Sequence, residues 1–359
     1  MKVLFVNEFY GPVGVPKGLA PREQGGRSAD RRVLRAFLRE LRFYPAALWR
    51  VLRMPRHDVT VFMTEPPLLF VLGPLVRWIK RTRFVCWSQA LFPEVEVELG
   101  MLERRSPLTA LWRLLAGWAL RRADLVIAVG ETMEQRLVAK GVSADRIAVV
   151  HGWADGDLVK PVAPAENPFL KQHSLQGKFV VMYCGNFGPS EEFGTLLEAA
   201  KLLKDAGDVV FLFVGEGMQL DAVKTKASGL RVSFLPLHPE HELSNCLSAA
   251  SVHVVTLKPG LEGMLVPKNL YSAMAVARPV IFVGGSRSEV ALVLEEAACG
   301  LRVEPGDAKG FMAAVLRLKA TTGERDSMGK RAYEAFRAKY DRKIGTARIG
   351  QLLADMVGQ

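Results

Sequence analysis

The chain has 359 residues, of which 49% are hydrophobic and 24% are charged, and its formal net charge is +11. This is the composition of a globular protein, and the length predicts roughly two domains with a sizeable core. The start, MKVLFVNEF, is too short and too soon charged for a signal peptide, and no apolar run approaches the roughly 18 residues needed to span a bilayer.

The four cysteines lie far apart and include no CxxC pair, which argues against a structural zinc site. Reduced core thiols in a cytoplasmic protein are the simplest interpretation. The cysteines are Cys86, Cys184, Cys246 and Cys299.

The positive charge is concentrated in the first half of the chain. Residues 1–160 carry 25 Lys and Arg against 16 Asp and Glu, a net +9, which leaves 11 − 9 = +2 for the rest. Basic residues interleave with Trp and Phe over 39–53 and 111–122, a pattern that suits helices lying on an anionic lipid surface. A solvated basic face above a core-facing stripe is the alternative. No nucleic-acid module is recognisable, so nucleic acid is not expected as a partner.

The sequence of the first half of the chain predicts strands that alternate with helices. The predicted strands are Val3–Val6, 58–63, 83–87, 124–129 and 146–150. After the first strand, Gly11, Gly14 and Gly18 do not match the dinucleotide-binding fingerprint, and a helical stretch over 28–53 is expected to break near Pro45. Strands that alternate with helices predict a mostly parallel sheet covered on both faces.

The second half repeats this pattern after a polar, Pro-rich stretch. Its predicted strands are 178–184, 209–214, 232–237, 252–257 and 279–283. We therefore predict an α/β protein of two Rossmann-like domains that face a cleft. The predicted parts are a first domain over 1–155, a linker over 156–176, a second domain over 177–335, and C-terminal helices over 336–359 that can pack back on the first domain.

Glycines follow three strands of the second half, where they let backbone N–H groups approach phosphates closely. These glycines are Gly185 and Gly188, Gly215 and Gly217, and Gly284 and Gly285. A helix opening at Lys268 and Asn269 adds unpaired N–H groups, a positive dipole end and a lysine. Together they favour a nucleotide diphosphate site, whereas each alone is also typical of an ordinary βα loop.

Several longer motifs occur in a family's order across both halves. They are TEPPL (64–68), LFPEVEVELG (91–100), RRADLVIAVGETM (121–133), WAD (153–155), YCGNFG (183–188), FVGEGMQ (213–219), FLPLHPEHEL (234–243), ASVHVVTL (250–257), VPKNLYSAMAVARPVIFVG (266–284), SE (288–289) and PGD (305–307). With these motifs the sequence resembles the family-4 retaining glycosyltransferases of GT-B fold over about residues 42–340. The similarity is to the branch of bacterial O-antigen and capsule fucosaminyltransferases.

The resemblance implies transfer of a hexosamine-type sugar from a UDP-sugar to a lipid-linked glycan acceptor, with retention of configuration, at the cytoplasmic face of a bacterial membrane. It implies no metal and no other cofactor, because a lysine and a helix N-terminus can offset the leaving-group charge. The donor-site residues implied are Gly185, Asn186, Gly188, Gly215 and Gly217 around the phosphates, Pro236 and Leu237 near the base, Pro267, Lys268 and Asn269 at the diphosphate, Gly263 and Glu289 facing ribose and sugar, and Tyr271 and Ser288 from the same motifs.

The sequence departs from the family pattern in two motifs. The family's P-S-K in the donor loop is Pro267-Lys268-Asn269 here, so the lysine is shifted by one place. The aspartate expected near the acceptor is Ala90, which cannot accept a proton. The departing phosphate can take that proton, or else Glu94 or Gln89 must replace the aspartate; Glu94 as a helix cap is the alternative.

The first half is also shorter than in the family, which would leave Val3–Val6 at an open sheet edge. We expect that the segment 11–40 packs loosely, or that a second subunit, as in a homo-oligomer, covers this edge. The Asp155-Gly156-Asp157 sequence superficially matches a D-x-D metal motif, but it lies at the family's W-x-D turn, so no metal role is favoured. Among the histidines, only His151 lies at the mouth of the expected cleft.

Two other functions fit the same residues. The first is a non-catalytic sugar-nucleotide-binding relative or scaffold of a glycan assembly complex, which Ala90 and the shortened first half favour. The second is a UDP-sugar epimerase of the same fold, which turns over without an acceptor.

Overall fold

The structure, a computed structural model, describes residues 1–7, 43–64 and 66–358. These residues form two compact units. Unit 1 takes in the described parts of Met1–Val129, Met133–Val149 and Gly350–Gln359, and unit 2 takes in Gly130–Thr132 and Val150–Ile349.

Unit 1 is built on a five-stranded parallel sheet. Its strands are β1 (Val3–Val6), β2 (Val59–Met63), β3 (Arg83–Ser88), β4 (Leu125–Ala128) and β5 (Ile147–Val149), in the spatial order β1-β2-β3-β4-β5. Most side chains of β2 to β4 are buried, as a parallel sheet covered by helices requires. Its helices are α1 (Phe43–Arg53), α2 (Gly73–Lys80), α3 (Glu94–Glu98), α4 (Pro107–Arg122) and α5 (Glu131–Ala139).

Among the described residues, β1 is the terminal strand of this sheet, as the short first half led us to expect. The segment 11–40 lies outside the described residues, so its packing and the pairing of two copies at this edge stay predictions. Pro45 does not break α1 where the helix is described. The residues before Phe43 lie outside the described part of the chain, so a break between them and Phe43–Arg53 stays a prediction.

Unit 2 contains a six-stranded parallel sheet. Its strands are β6 (Phe179–Asn186), β7 (Val209–Glu216), β8 (Val232–Leu235), β9 (Val252–Thr256), β10 (Val280–Val283) and β11 (Gly300–Val303), in the order β11-β10-β9-β6-β7-β8. The sequence did not predict β11, because this strand has only four residues and carries Arg302 in its middle. Its helices are α6 (Pro168–Gln172), α7 (Gly194–Leu202), α8 (Leu220–Lys226), α9 (Leu243–Ser248), α10 (Asn269–Ala275), α11 (Glu289–Ala297), α12 (Ala308–Ala320) and α13 (Thr322–Ala335), while α14 (Arg342–Gly358) has its last part in unit 1.

The predicted linker 156–176 belongs to unit 2 and packs on it. The Lys160 N–H donates to Ser244 Oγ (3.0 Å), and the Val162 N–H donates to Ser248 Oγ (3.0 Å). The Asn167 amide donates to the Asn245 carbonyl (2.8 Å), and α6 follows directly. Two of its prolines, Pro164 and Pro168, are the first residues of a short 3-10 helix and of α6, where a missing N–H removes no helical hydrogen bond.

Candidate functional site

The site expected in unit 2 lies at the point where the strand order of its sheet reverses. The chain enters the sheet at β6, which is flanked by β7 on one side and β9 on the other. The connections after β6 and β9 therefore leave toward opposite faces of the sheet and open a crevice at the carboxyl ends of the strands. Ligands of open α/β sheets bind in this crevice.

The turn after β6 is preformed by hydrogen bonds to its neighbours. The Phe187 N–H donates to the Glu216 carbonyl (2.7 Å), and the Gln219 N–H donates to the Phe187 carbonyl (2.9 Å). The Lys258 N–H, which follows β9, donates to the Ser190 carbonyl (2.8 Å). Three strand ends are thus tied into one rigid surface.

Two of the predicted phosphate-binding glycines have a packing role. Gly215 has φ +147°, and a β-carbon there would lie 1.9 Å from the Gly185 carbonyl oxygen. Gly217 has φ +143°, and a β-carbon there would lie 2.6 Å from the Phe187 backbone nitrogen. Both glycines let the end of β7 approach the turn after β6. Gly185 differs, since a β-carbon there would meet nothing closer than 3.4 Å.

Glu191 is a residue of this turn that the sequence analysis missed. Its Oε1 accepts a hydrogen bond from Ser190 Oγ (3.1 Å), and its Oε2 is buried without a partner in the described structure. A β-carbon on Gly188 would lie 2.9 Å from that Oε2, so the carboxyl group faces the glycine turn. Burial raises the pKa of Glu191 to about 7. The Glu191-Glu192 pair directly after GNFGPS was the available signal.

Lys268 and Asn269 lie where the sequence placed them, at the start of α10. Lys268 is exposed and stands at the N-cap position. The Asn269 Oδ1 atom is buried and has no hydrogen-bond partner among the described residues, and its Nδ2 lies beside Gly185. Because α10 has only seven residues, the site depends more on these two side chains than on a helix dipole.

The structure gives two other predicted donor-site residues, Tyr271 and Ser288, internal partners. Tyr271 is fully buried, with its ring 5.1 Å from that of Tyr340, and its contact with a donor stays a prediction. Ser288 caps α11 by accepting from the Ala291 N–H (3.2 Å). Pro236 and Leu237 lie just after β8 with exposed side chains, and their role at the base stays a prediction.

Glu289 lies at the centre of a buried polar cluster. Its Oε2 accepts from the N–H and the hydroxyl of Thr132 (both 3.1 Å), and its Oε1 is 3.2 Å from His151 Nδ1. Burial opposes ionisation, but the contacts with His151 and Thr132 outweigh it and hold the pKa of Glu289 below its usual value. Gly130 lies directly beside this carboxylate. A β-carbon on Gly130 would lie 2.3 Å from Glu289 Cδ, so a larger residue would clash there.

The donor loop after β9 contains the two remaining predicted residues, Gly263 and Pro267. Gly263 is buried and adopts φ +70°, in the left-handed region that glycine favours. The loop is braced by the Gly260 N–H, which donates to Glu262 Oε2 (2.9 Å). Pro267 is half-buried directly before Lys268. Their contact with a sugar stays a prediction.

The acceptor-side residues lie in unit 1, after β3. The buried Thr64 hydroxyl accepts from the backbone N–H groups of Gln89 (3.0 Å) and Ala90 (3.3 Å), which fixes this turn. Glu94 is the first residue of α3 and forms an ion pair with Lys140. That ion pair, rather than a helix cap, is its structural role. Two residues on, burial and the nearby charge of Glu94 raise the pKa of Glu96 to about 7.

The two aspartates of the D-x-D sequence are neutralised by basic residues. Asp155 accepts from Arg342 Nε (2.7 Å), and Asp157 accepts from Lys343 Nζ (2.7 Å). Across the described ranges, no group of three or more His, Cys, Asp or Glu side chains is arranged to hold a metal ion. Metal independence nevertheless stays a prediction. Nor is any helix in the part of the chain that the structure describes long and apolar enough to cross a membrane.

Two family patterns match this chain in succession. The pattern described as "Glycosyl transferase 4-like domain" matches residues 11–153, and the one described as "Glycosyl transferases group 1" matches residues 178–320. They correspond to the two halves that the sequence analysis separated.

Two bacterial proteins are similar in sequence. The probable glycosyltransferase WbjE of Pseudomonas aeruginosa is 30% identical over 258 residues, which is 71% of this chain and 64% of WbjE. The putative colanic acid biosynthesis glycosyl transferase WcaI of Escherichia coli K12 is 26% identical over 55% of this chain and 49% of WcaI. The chain thus spans about half to two thirds of the length of the curated relatives it matches.

Solved structures share the fold at low sequence identity. Anabaena HepE in complex with UDP superposes with a TM-score of 0.73 at 17% identity, over 86% of this chain and 82% of HepE. Sucrose-phosphate synthase of Thermosynechococcus elongatus superposes with a TM-score of 0.71 at 19% identity, over 99% of this chain and 89% of the synthase chain. Two parallel α/β units of this kind define the GT-B class, which confirms the predicted fold. The chain belongs to the glycosyl transferase group 1 family with a glycosyl transferase 4-like first domain.

Proposed function

We propose that the chain transfers a hexosamine-type sugar from a UDP-sugar to a lipid-linked glycan acceptor in cell-surface polysaccharide synthesis. The observation that carries this proposal is the succession of both glycosyl transferase patterns along one chain. The similarity to WcaI, a putative colanic acid biosynthesis glycosyl transferase, supports a polysaccharide product, and the likeness to HepE, solved with UDP, supports the donor. The enzyme works without metal at the cytoplasmic face of an anionic membrane.

In this reaction the bond between the anomeric carbon and the diphosphate oxygen breaks while a bond to the acceptor hydroxyl oxygen forms on the same face. The Lys268 ammonium stabilises the negative charge that develops on the departing UDP. The acceptor proton passes to the departing phosphate, or to a carboxylate after β3. Glu96 joins Glu94 as a candidate for that carboxylate, since a pKa near 7 suits proton transfer, whereas Gln89 can only orient the acceptor hydroxyl by a hydrogen bond.

The first test is calorimetric titration of the full chain with UDP in the absence of metal. We expect micromolar binding that weakens at least about tenfold in a Lys268→Ala, Asn269→Ala double variant, since it loses a charge-assisted contact and an amide. The matched control is Lys201→Ala, which removes an exposed lysine on α7, outside the turns that form the donor site. Absence of UDP binding in the wild type, or equal binding in the double variant, would overturn the donor site.

The two alternatives separate in a turnover assay. Release of UDP that requires a lipid-linked saccharide identifies the transferase. Turnover of the UDP-sugar without any acceptor identifies the epimerase. Binding with no turnover in either assay identifies the scaffold, which Ala90 favours because the expected acceptor-side carboxylate is missing.

UDP affinity is expected to depend on pH through Glu191. Below about pH 7 its buried carboxyl group is neutral, and above that pH a negative charge faces the glycine turn and repels the diphosphate. We expect the ratio of wild-type to Glu191→Gln dissociation constants to rise up to about tenfold between pH 6 and pH 8. The protons of UDP itself titrate identically in both titrations and cancel in this ratio. A ratio that stays constant with pH would contradict the placement of Glu191 at the diphosphate.

A further inference from the structure

A pocket of about 460 Å³, which we call the arginine pocket, opens in unit 1 at the amino ends of β2 and β3. This end of the sheet is opposite to the strand ends that carry Thr64, Gln89 and Ala90, so the pocket is separate from the acceptor-side residues. Among the described residues that line it, only Val357 is apolar. The lining residues are Arg56, His57, Asp58, Arg77, Arg81, Thr82, Arg83 and Val357.

The buried part of this lining is a hydrogen-bonded polar network. His57 Nδ1 donates to the Pro55 carbonyl (3.1 Å), which can only accept, and His57 Nε2 lies 2.7 Å from the Thr60 hydroxyl oxygen. The Thr82 hydroxyl donates to the Asp58 carbonyl (3.0 Å). Because the buried side chains are tied to one another and to the backbone, the pocket has a fixed shape.

Three arginines of the lining are available to bind an anion. Arg56, Arg81 and Arg83 are exposed, and none of them forms an ion pair with another residue in the part of the chain that the structure describes. Guanidinium groups bind phosphate oxygens through paired N–H groups. Three of them around one concave surface therefore suit a phosphate group.

The other charged groups of the lining set the charge of the expected ligand. Arg77 is offset by Asp124, 2.7 Å away. Asp58 is the one lining carboxylate among the described residues, and it opposes one of the three unpaired arginines. The remaining excess of two positive charges matches a phosphate monoester, which carries about −1.5 to −2 at pH 7.

The backbone of Arg81 gives an independent reason to expect a ligand. Arg81 is the C-cap residue of α2, and its φ of 51° and ψ of 45° lie in the left-handed region. Glycine is usual at such a helix end, because a side chain is unfavourable in this conformation. No ion pair with a described residue compensates for the arginine, so the stability of the fold does not explain it. Unfavourable backbone of this kind is typical of functional positions.

The size and polarity of the pocket indicate what else the ligand carries. A volume near 460 Å³ lies in the range of small-molecule sites and exceeds what a phosphate group fills. The carboxylate of Asp58 and the arginines can hydrogen-bond to hydroxyl groups, whereas an apolar ligand would find only Val357 among the described lining residues. The organic part is therefore expected to be small and hydroxylated.

We propose that the arginine pocket binds a sugar phosphate, with the phosphate held by Arg56, Arg81 and Arg83 and the hydroxyl groups facing Asp58. This ligand goes beyond the proposed function, because it is neither the donor nor the acceptor. All residues of the pocket belong to unit 1, whereas the candidate donor-site residues belong to unit 2.

The test is calorimetric titration of the full chain with glucose 6-phosphate and, separately, with inorganic phosphate. We expect glucose 6-phosphate to bind more tightly than inorganic phosphate. An Arg56→Gln, Arg83→Gln double variant should bind it at least about tenfold more weakly, since it loses two charge-assisted contacts. The matched control is Arg105→Gln, Arg146→Gln, which removes two exposed arginines of unit 1 outside the pocket and should bind like the wild type.

An Arg81→Gly variant separates loss of binding from loss of folding. Glycine adopts the left-handed conformation without strain, so the urea midpoint of this variant should be no lower than that of the wild type. Its affinity for glucose 6-phosphate should nevertheless fall, because a guanidinium group is removed.

The Lys268→Ala, Asn269→Ala variant keeps this proposal distinct from the donor site. It should bind glucose 6-phosphate like the wild type, whatever the result of the UDP titration. The proposal is overturned if the wild type does not bind glucose 6-phosphate, or if the Arg56→Gln, Arg83→Gln variant binds it equally well. It is also overturned if inorganic phosphate binds as tightly, or if the donor-site variant loses the binding.

Discussion

Replacing Gly215 with alanine is expected to destabilise the protein by about 3 kcal/mol, because two unfavourable terms act together. A side chain at φ +147° is strained, and its β-carbon would lie 1.9 Å from the carbonyl oxygen of Gly185, a backbone atom that cannot rotate away. The end of β7 must then separate from β6 at the turn that forms the candidate donor site. We therefore expect UDP affinity to fall together with stability.

The matched control for this substitution is Gly229→Ala. Gly229 also has a positive φ, +79°, but nothing lies within 4 Å of the position of its β-carbon. It should lose only the conformational term, about 1 kcal/mol. Urea midpoints of the two variants, followed by circular dichroism, measure the difference. Equal midpoints would show that β7 does not need the close approach to Gly185.

The sequence predicted the sheet of unit 2 well where hydrophobic runs end in glycine. β6, β7 and β10 were predicted within about two residues of their observed ends, because each is a continuous apolar run of a buried parallel strand. β11 was missed because four residues interrupted by Arg302 give no such run. The packing of the segment predicted as a linker could not be foreseen for a similar reason, since the hydrogen bonds of Lys160 and Val162 join residues more than eighty positions apart.

For the candidate site too, the sequence alone does not reveal which distant residues come into contact. Glycine after a strand indicates that some backbone comes close, but the sequence does not say whether that backbone approaches a phosphate or a neighbouring strand. For Gly215 the structure shows the neighbouring strand, whereas a β-carbon on Gly185 would make only ordinary van der Waals contacts, at 3.4 Å or more, with the side chains of Tyr183 and Asn269. Glu191 was passed over because its burial, which makes its acid chemistry unusual, follows from tertiary packing alone.

Replacing Glu289 with alanine is expected to cost about 3 kcal/mol of unfolding free energy at pH 7. The carboxylate satisfies the buried N–H and hydroxyl of Thr132 and contacts His151, so truncation leaves these polar groups without a partner. Glu289→Gln keeps the shape and one acceptor oxygen and should lose only about 1 kcal/mol. Thermal or urea unfolding of the three proteins at pH 7 measures this order.

The dependence of unfolding free energy on pH provides an independent test of the role of the Glu289 carboxylate. The contacts with His151 and Thr132 outweigh burial and lower the pKa of Glu289 in the folded chain. The ionised carboxylate therefore makes its full contribution to stability at any pH above the pKa of the unfolded chain, which is near 4.3. That contribution is lost as the pH falls through the lower folded pKa. The stability difference between wild type and Glu289→Gln should thus shrink as the pH falls through that lower folded pKa. If the difference instead grew below pH 5, the carboxylate would be favoured in its protonated form, and its bond to Thr132 would not be the one that holds it.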